Sequence, residues 1–245
     1  MHKTDMLRER RIEHEWMDDP NIEPELHHHA LNALARLNRV SRSDAILWGP
    51  IVAYSKSVGD RPVRILDIAT GAGDIPIQLW KRAQKSGIGI HIEACDRSPQ
   101  AIQFAEAKRR RVGAGITFYT ADIIADGISE EYDIITNSLF MHHIDLSLSA
   151  RLLSNLREKA SMIIVSDLER SPLGMLLARF ACNVFSRSPV VQYDGPRSVA
   201  AAYTIPEFQR LASSVGMEGA QFTRHWPMRF RMVWRKSING HDPNS

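Results

Sequence analysis

The stretch Ile65-Leu66-Asp67-Ile68-Ala69-Thr70-Gly71-Ala72-Gly73-Asp74 decides the fold of this chain. Its apolar beginning predicts a buried strand from Val63 to Ala69. The two glycines predict a tight turn, and the pattern from Ile75 to Gln84 predicts a helix. A strand, a glycine turn and a helix in this order are typical of the first unit of a doubly wound α/β sheet.

Short apolar runs and helical patterns alternate after this stretch. Further strands are predicted at Ile88 to Cys95, Ile116 to Thr120, Tyr132 to Asn137, Met162 to Asp167, Ala220 to His225 and Arg229 to Arg235. Further helices are predicted at Pro99 to Arg110, Ser147 to Lys159, Pro172 to Ser186 and Pro206 to Val215, with a loop from Ser188 to Ala200. Apolar strands separated by helices predict an α/β fold with a doubly wound, mostly parallel sheet of about seven strands, one of them antiparallel.

The first sixty residues are helical in pattern. Pro24-Glu25 opens an amphipathic run, and Ser43-Asp44 is a plausible N-cap pair for a second helix. Gly59-Asp60-Arg61-Pro62 then breaks the chain. These patterns predict an N-terminal helical cap over residues 1–60 and a second domain over residues 61–245.

Composition sets the expected environment. The 245 residues carry a formal charge of +3 and only two cysteines, Cys95 and Cys182, so no disulfide framework is expected. The longest apolar window, Leu173 to Phe185, is too short and too polar to span a bilayer. We therefore expect a cytoplasmic protein without stable membrane insertion, whose basic runs are solvated faces and not a nucleic-acid surface.

The glycine loop departs from the dinucleotide fingerprint Gly-x-Gly-x-x-Gly. Pro76 replaces the third glycine, and Asp74 lies at the helix start, where a carboxylate would repel a pyrophosphate. Asp74 is expected to cap the helix, with Pro76 in its first turn. An acidic loop can instead face a cation, so the pattern favours S-adenosylmethionine, which carries an ammonium and a sulfonium but no phosphate.

Two further acids follow successive strands. Asp96 ends the second strand and can accept hydrogen bonds from both ribose hydroxyls. Asp122 follows the third strand and can accept from an adenine amino group while Ile123 packs on the ring. Each aspartate alone could be an ordinary turn residue. Their order is informative because the carboxyl ends of parallel strands converge on one crevice.

From Val63 to Asp167 the sequence resembles the class I S-adenosylmethionine-dependent methyltransferases. That resemblance implies a Rossmann-like methyltransferase fold and a lid over residues 172–200, whose apolar side chains would cover an acceptor or pack in the core. The lid candidates are Leu173, Leu176, Leu177, Phe180 and Phe185. The implied cofactor-binding residues, including neighbours of the motifs, are Asp67, Ala69, Gly71, Gly73, Asp96, Arg97, Asp122, Ile123 and Asn137.

A histidine pair follows the fourth strand. Residues just beyond that strand would stand beside the transferred methyl group, and histidine is suited to remove a proton from a phenol near neutral pH. His142 and His143 are therefore the candidate catalytic residues, the alternative being structural packing and capping. Asn137-Ser138-Leu139-Phe140 lacks the proline pair that amide- and base-directed N-methyltransferases usually carry, which disfavours nucleic acid as substrate.

Other clusters are weaker signals. His27-His28-His29 point in different directions on a helix, so no metal site is expected. Asn38-Arg39, Trp48 and Tyr54 can line a ligand entrance or pack ordinarily, and Arg224 to Lys236 resembles an edge strand with one wet face.

The flanking segments suggest an acceptor class. Glu15 to Pro20, Leu37-Asn38-Arg39 and Ser188 to Pro196 resemble bacterial methyltransferases associated with type III polyketide synthases. The resemblance implies methyl transfer to a small phenolic, quinone-like or polyketide-derived acceptor, with oxygen preferred. C-methylation of a quinone, a nucleotide-dependent oxidoreductase and a non-catalytic cofactor-binding protein remain the alternatives, and the sequence does not fix the oligomeric state.

Overall fold

The computed structural model describes residues 7–19, 22–185 and 188–236. Its strands are β1 (Val63–Ile68), β2 (Ile90–Asp96), β3 (Ile116–Thr120), β4 (Tyr132–Ser138), β5 (Ala160–Leu168), β6 (Gln221–His225) and β7 (Arg229–Arg235). Its α-helices are α1 (Pro24–Val40), α2 (Ser43–Val58), α3 (Asp74–Ser86), α4 (Pro99–Val112), α5 (Leu146–Lys159), α6 (Pro172–Phe185), α7 (Pro189–Ala201) and α8 (Ile205–Ser214).

The strands form one seven-stranded sheet in the order β3-β2-β1-β4-β5-β7-β6. β1 to β5 pair in parallel, and β7 runs antiparallel to both β5 and β6. This confirms the predicted doubly wound, mostly parallel sheet. The strand order reverses between β1 and β4, which places a crevice at the carboxyl ends of these two strands.

Two apolar layers cover the sheet. On one face, α2, α3 and α4 pack on residues such as Ile65, Ile92 and Ile164. On the other face, α5 and α8 pack around Phe208 and Phe230, both fully buried. Burial on both faces explains why the parallel strands are continuously apolar in sequence.

A third, smaller cluster lies apart from the sheet. Ala30 and Ala33 of α1, Cys182 of α6 and Val190 and Val191 of α7 pack together. The described part of the chain contains no helix long and apolar enough to cross a membrane.

The predicted loop from Ser188 to Ala200 is wrong, because this segment contains helix α7. Gly195 and Pro196 suggest a break, but the helix is held by tertiary contacts. The Asp194 carboxylate accepts hydrogen bonds from the backbone N–H groups of Trp16 (2.9 Å) and Met17 (3.1 Å). A Cβ at Gly195 would collide with the Cys182 sulfur, so the glycine allows α6 and α7 to approach closely.

Two predicted helix caps are also wrong. α3 has Gly73 at its N-cap in a left-handed conformation, and Asp74 instead pairs with Lys108 at 2.9 Å. α2 begins after Arg42, without a side-chain cap. The Ser43 hydroxyl instead accepts a hydrogen bond from Arg229 of β7, so it serves tertiary structure and not the helix end.

The interpretation of Arg224 to Lys236 as a wet edge strand is wrong for β7. β7 lies between β5 and β6, so both of its backbone edges are paired with neighbouring strands. Arg229 is only 5% exposed, and the edge position belongs to β6.

Candidate active site

A cavity of about 1800 Å³ opens at the carboxyl edge of the sheet. Among the predicted site residues, those that line it are Ala69, Gly71, Asp96, Arg97, Asp122, Ile123, His142 and His143. These residues follow β1, β2, β3 and β4, as expected from the convergence of parallel strand ends. Three predicted site residues do not line the cavity and are buried: Asp67, Gly73 and Asn137.

The two glycines of the loop have different roles. Both adopt positive φ angles, +56° at Gly71 and +70° at Gly73. A Cβ on Gly71 would meet no atom within 4 Å, whereas a Cβ on Gly73 would lie 2.7 Å from the Phe118 ring and 2.9 Å from Ala105. Gly71 therefore leaves space in the cavity, and Gly73 lets the loop pack against β3 and α4.

The backbone is strained at both strand ends that flank the crevice. Ala69 after β1 has φ +53°, and Leu139 after β4 has φ +58°. Non-glycine residues rarely adopt this conformation, and such residues concentrate at functional sites. Both line the cavity.

Asp96 is oriented by backbone hydrogen bonds. Its Oδ2 accepts from the Gly71 N–H at 2.7 Å, and its Oδ1 accepts from the Ser98 N–H at 2.9 Å. A carboxylate offers about four acceptor positions, so these two bonds fix its direction and leave acceptor capacity for a ligand. Asp96 thus ties the glycine loop to β2.

Asp122 stabilises the turn after β3. Its Oδ1 accepts from the Ile124 N–H (3.0 Å) and the Ala125 N–H (3.2 Å). The neighbouring Ile123 is 6% exposed and contributes an apolar wall. Asp122 is therefore a turn residue, and it also lines the cavity wall.

Asp67 is buried under the loop. Its two carboxylate oxygens each accept a hydroxyl hydrogen bond at 2.7 Å, from Thr70 and from Thr136. Burial is the main cause that raises the pKa of Asp67 from 3.8 to about 6; the charge of the nearby Asp96 acts in the same direction, and the two hydroxyl hydrogen bonds oppose it. Asn137 is fully buried too, and both polar atoms of its amide have no hydrogen-bond partner among the described residues.

His142 forms a buried pair with Asp167 at the end of β5. The two side chains are 3% and 2% exposed, and His142 Nδ1 lies 2.6 Å from Asp167 Oδ1. The His142 backbone N–H also donates to Asp167 Oδ2 at 3.2 Å. Burial opposes ionisation of Asp167, but the charge and the hydrogen bond of His142 lower its pKa below the usual value.

His143 lies beside this pair. The two imidazole rings have their centroids 4.2 Å apart, and His143 Nδ1 is 3.8 Å from Glu15 Oε2. Glu15, His142 and His143 each present one ligand atom within 4.8 Å of the others, so this group has the residue types and spacing that can hold a metal ion.

The segment before α1 contributes Arg10 to the site, a residue that the sequence analysis does not identify. Arg10 donates to the carbonyls of Met141 (3.0 Å), His142 (3.1 Å) and Ile144 (2.6 Å), and to the Tyr203 hydroxyl (2.8 Å). One guanidinium thus holds the short 3₁₀ turn Met141–His143 that carries both histidines. These partners lie more than 130 positions away in sequence, so no local signal identifies them.

The other predicted entrance residues divide into two groups. Asn38 lines the cavity, but Trp48 packs in the core and Tyr54 donates a hydrogen bond to Asp133 at 3.1 Å. The side chain of Arg39 lies outside the described part of the structure.

The predicted lid residues divide similarly. Leu177 and Phe180 line the cavity, although Phe180 is also 62% exposed, whereas Leu173 and Leu176 do not line it and are 50% and 64% exposed. The side chain of Phe185 lies outside the described part of the structure.

Short stretches of the chain match curated methyltransferases. It is 25% identical over 83 residues to the release factor glutamine methyltransferase of Bacillus cereus, covering 34% of this chain and 28% of that protein. It is 33% identical over 89 residues to the demethylmenaquinone methyltransferase of Thermus thermophilus, covering 36% of this chain and 39% of that protein. The chain therefore matches less than half the length of either relative.

The fold matches solved structures over most of the chain. The plantazolicin methyltransferase BpumL in complex with SAH has a TM-score of 0.66 and 16% identity, covering 91% of this chain and 93% of that chain. The magnesium protoporphyrin IX methyltransferase of Synechocystis with bound SAH has a TM-score of 0.56 and 16% identity, covering 82% and 87%. A family model described as a methyltransferase domain matches residues 60–191, more than half of the sequence. The chain belongs to this methyltransferase domain family.

Proposed function

We propose that the protein transfers a methyl group from S-adenosylmethionine to a hydroxyl of a small phenolic, quinone-like or polyketide-derived acceptor. The supporting observation is that the glycine loop and His142, which pairs with the buried Asp167, border one cavity. Its volume of about 1800 Å³ exceeds the roughly 300–1,000 Å³ of ordinary single-ligand pockets, so a donor and an acceptor can share it.

The loop side of the cavity suits a cationic donor. Gly71 leaves open space where a side chain would stand, and Asp96 and Asp122 line the neighbouring wall. In this proposal Asp96 accepts from ribose hydroxyls, Ile123 packs on the adenine, and the remaining predicted residues shape the loop. When bound, S-adenosylmethionine supplies an electrophilic methyl group.

His142 is proposed as the general base. Because Asp167 accepts from both Nδ1 and the backbone N–H of His142, it fixes the ring and favours the tautomer whose Nε2 accepts a proton. Nε2 would remove the proton of the acceptor hydroxyl, which favours O-methylation. His143 and Glu15 form the adjacent wall.

C-methylation of a quinone-type acceptor is the second candidate. It is favoured by the partial similarity to demethylmenaquinone methyltransferase. A protein amide substrate, as in release factor glutamine methyltransferase, receives less support because Asn137-Ser138-Leu139-Phe140 lacks a proline pair.

The cap is proposed to exclude water from the reaction. Residues 1–60 supply α1, and the proposed lid over residues 172–200 supplies α6 and α7, which pack on α1 through the cluster around Cys182. Leu177 and Phe180 then provide apolar surface for the acceptor.

Calorimetry with S-adenosylmethionine, SAH and NADH tests the donor, and tight NADH binding without the others would overturn it. A panel of phenols and hydroquinones, with products identified by mass spectrometry, tests the acceptor. His142→Gln and Asp167→Asn should lower kcat by roughly 10²- to 10⁴-fold with little change in SAH affinity. His91→Gln, an exposed histidine on β2, is the matched control and should keep full turnover. If His142→Gln also keeps it on the true acceptor, His142 is not the base.

A further inference from the structure

Arg229 is a buried cation, and among the described residues no carboxylate forms an ion pair with it. It is 5% exposed and lines the cavity. Nη1 donates to the Ser43 hydroxyl at 2.5 Å, and Nη2 donates to Asn38 Oδ1 at 3.3 Å, both neutral acceptors. Nε is buried without a partner among the described residues. Guanidinium offers five N–H donors, so most of its hydrogen-bonding capacity is unused.

The nearby acids are committed elsewhere. Asp167 acts on Arg229 electrostatically, but its oxygens accept from His142 and from the Leu168 N–H. Glu169 is held by Arg224, with N–O distances of 2.8–3.1 Å. The described hydrogen-bond partners of Arg229 are therefore uncharged, and Asp167 acts on it only without direct contact.

Arg170 is a second buried arginine in the same protein, and its charge is balanced by a carboxylate. Its side chain is 1% exposed and pairs with Glu207 at 2.5 Å, and it also donates to the carbonyls of Leu7 and Ala202. An uncompensated buried charge is costly, and burial lowers the pKa of Arg229 to about 10. A cation of this kind on a cavity wall is typical of a ligand-binding group.

We infer that Arg229 binds an anionic group, a carboxylate or a comparable oxyanion, on the acceptor. This rests on the proposed methyl transfer and narrows its acceptor class to hydroxyl compounds that carry an anion. Arg229 would act as a specificity-determining residue, and Ser43 and Asn38 would orient its guanidinium.

The sheet order places Arg229 on the acceptor side. The proposed donor-binding residues follow β1, β2 and β3, whereas Arg229 begins β7, three strands from β1 in the order β1-β4-β5-β7. At about 4.8 Å per strand this is roughly 14 Å from the strand that carries the glycine loop. His142, which follows β4, lies between the two sides. The carboxylate of the methionine moiety is the competing source of the same chemistry.

Calorimetry on the SAH-saturated protein tests the inference with a matched probe pair, 1-hydroxy-2-naphthoate and its neutral methyl ester. The wild type should bind the carboxylate at least 10-fold tighter than the ester. Arg229→Met should remove this preference and change SAH affinity less than 2-fold. Arg231→Met is the control, because Arg231 lies on the same face of β7 and donates to the Ile46 carbonyl without lining the cavity. It should keep the preference.

Other outcomes overturn the inference. Equal binding of both probes by the wild type would contradict the inferred anion site. This measurement uses only the wild-type protein, so it does not depend on the folding of a variant. A 10-fold or greater loss of SAH affinity in Arg229→Met would assign the guanidinium to the donor instead. Failure of SAH to bind the wild type would refute the proposed function itself, which separates the two failures.

Discussion

Replacing Asp67 by asparagine should stabilise the protein at neutral pH. Asp67 is 2% exposed, and its described hydrogen-bond partners are the uncharged hydroxyls of Thr70 and Thr136. Burial raises its pKa from 3.8 to about 6. The folded protein therefore pays to keep this carboxylate ionised, whereas asparagine keeps an acceptor oxygen and carries no charge.

The sign of the pH dependence follows from proton binding. Between pH 3.8 and about 6 the folded state binds more protons at Asp67 than the unfolded state, so stability falls as pH rises. The rise of the Asp67 pKa from 3.8 to about 6 corresponds to about 3 kcal/mol of stability, and this loss is fully expressed above pH 7. One threonine hydroxyl must reorient to accept from the new amide, which reduces the gain. We therefore expect the free energy of unfolding of Asp67→Asn to exceed that of the wild type by about 1–3 kcal/mol at pH 8. The difference should vanish near pH 4.

Urea unfolding monitored by circular dichroism from pH 4 to pH 8 measures this difference. Asp133→Asn is the matched control, since Asp133 lies near the start of the neighbouring strand β4. Burial would raise the Asp133 pKa, but hydrogen bonds from Arg61, the Arg64 N–H and Tyr54 outweigh it and lower the pKa. Its ionised form thus adds stability that is lost as pH falls, so Asp133→Asn should be destabilised at pH 8. A loss of stability in Asp67→Asn at pH 8, with an unchanged urea slope, would refute the reasoning.

Two further substitutions test the site. Gly71→Ala and Gly87→Ala introduce a Cβ at similar φ angles, +56° and +64°, with no atom within 4 Å in either case, so their backbone strain is matched. Only Gly71→Ala should weaken SAH binding, by 10-fold or more in calorimetry, and equal affinities would contradict the loop assignment. Arg10→Met should lower kcat at least 10-fold with SAH affinity unchanged, because the turn that carries His142 loses its carbonyl partners. Arg157→Met, which removes a bond to the distant Gly216 carbonyl, is its control, and equal kcat values in the two variants would exclude the positioning role.

The sheet and the cavity-lining residues at the ends of β1, β2 and β3 are predictable because their signals are local. Burial on both faces forces continuous apolar strands, and the acids stand at the strand ends within a few residues of each turn. Asp67 was assigned to the site by the same logic, but the strand pattern does not tell whether a side chain at a strand end faces the cavity or the layer beneath it. The structure places this carboxylate beneath the loop.

The proposed acceptor side of the cavity could not be predicted because it is assembled by long-range contacts. Arg10 reaches the histidine turn across more than 130 residues, and Arg229 meets Ser43 across 186. α7 carries a glycine and a proline that favour a loop locally, yet Asp194 and the close approach at Gly195 favour the helix in the fold. Residue patterns over ten or fifteen positions contain none of this information.

The charges on the two sides of the cavity are consistent with the proposed division into a donor side and an acceptor side. Asp96 and Asp122 face the proposed site of a cationic donor, and Arg229 faces the proposed site of an anionic acceptor. Methyl transfer from a sulfonium to an oxyanion neutralises both reacting charges, so removal of water raises the energy of the separated ions more than that of the transition state. The proposed cap formed by α1, α6 and α7 would provide such exclusion, and the fixed charges of the chain would offset the cost of bringing the two ions into the cavity. In the proposed arrangement Arg229 holds an anionic group of the acceptor that does not itself react, so acceptor specificity depends on this buried guanidinium.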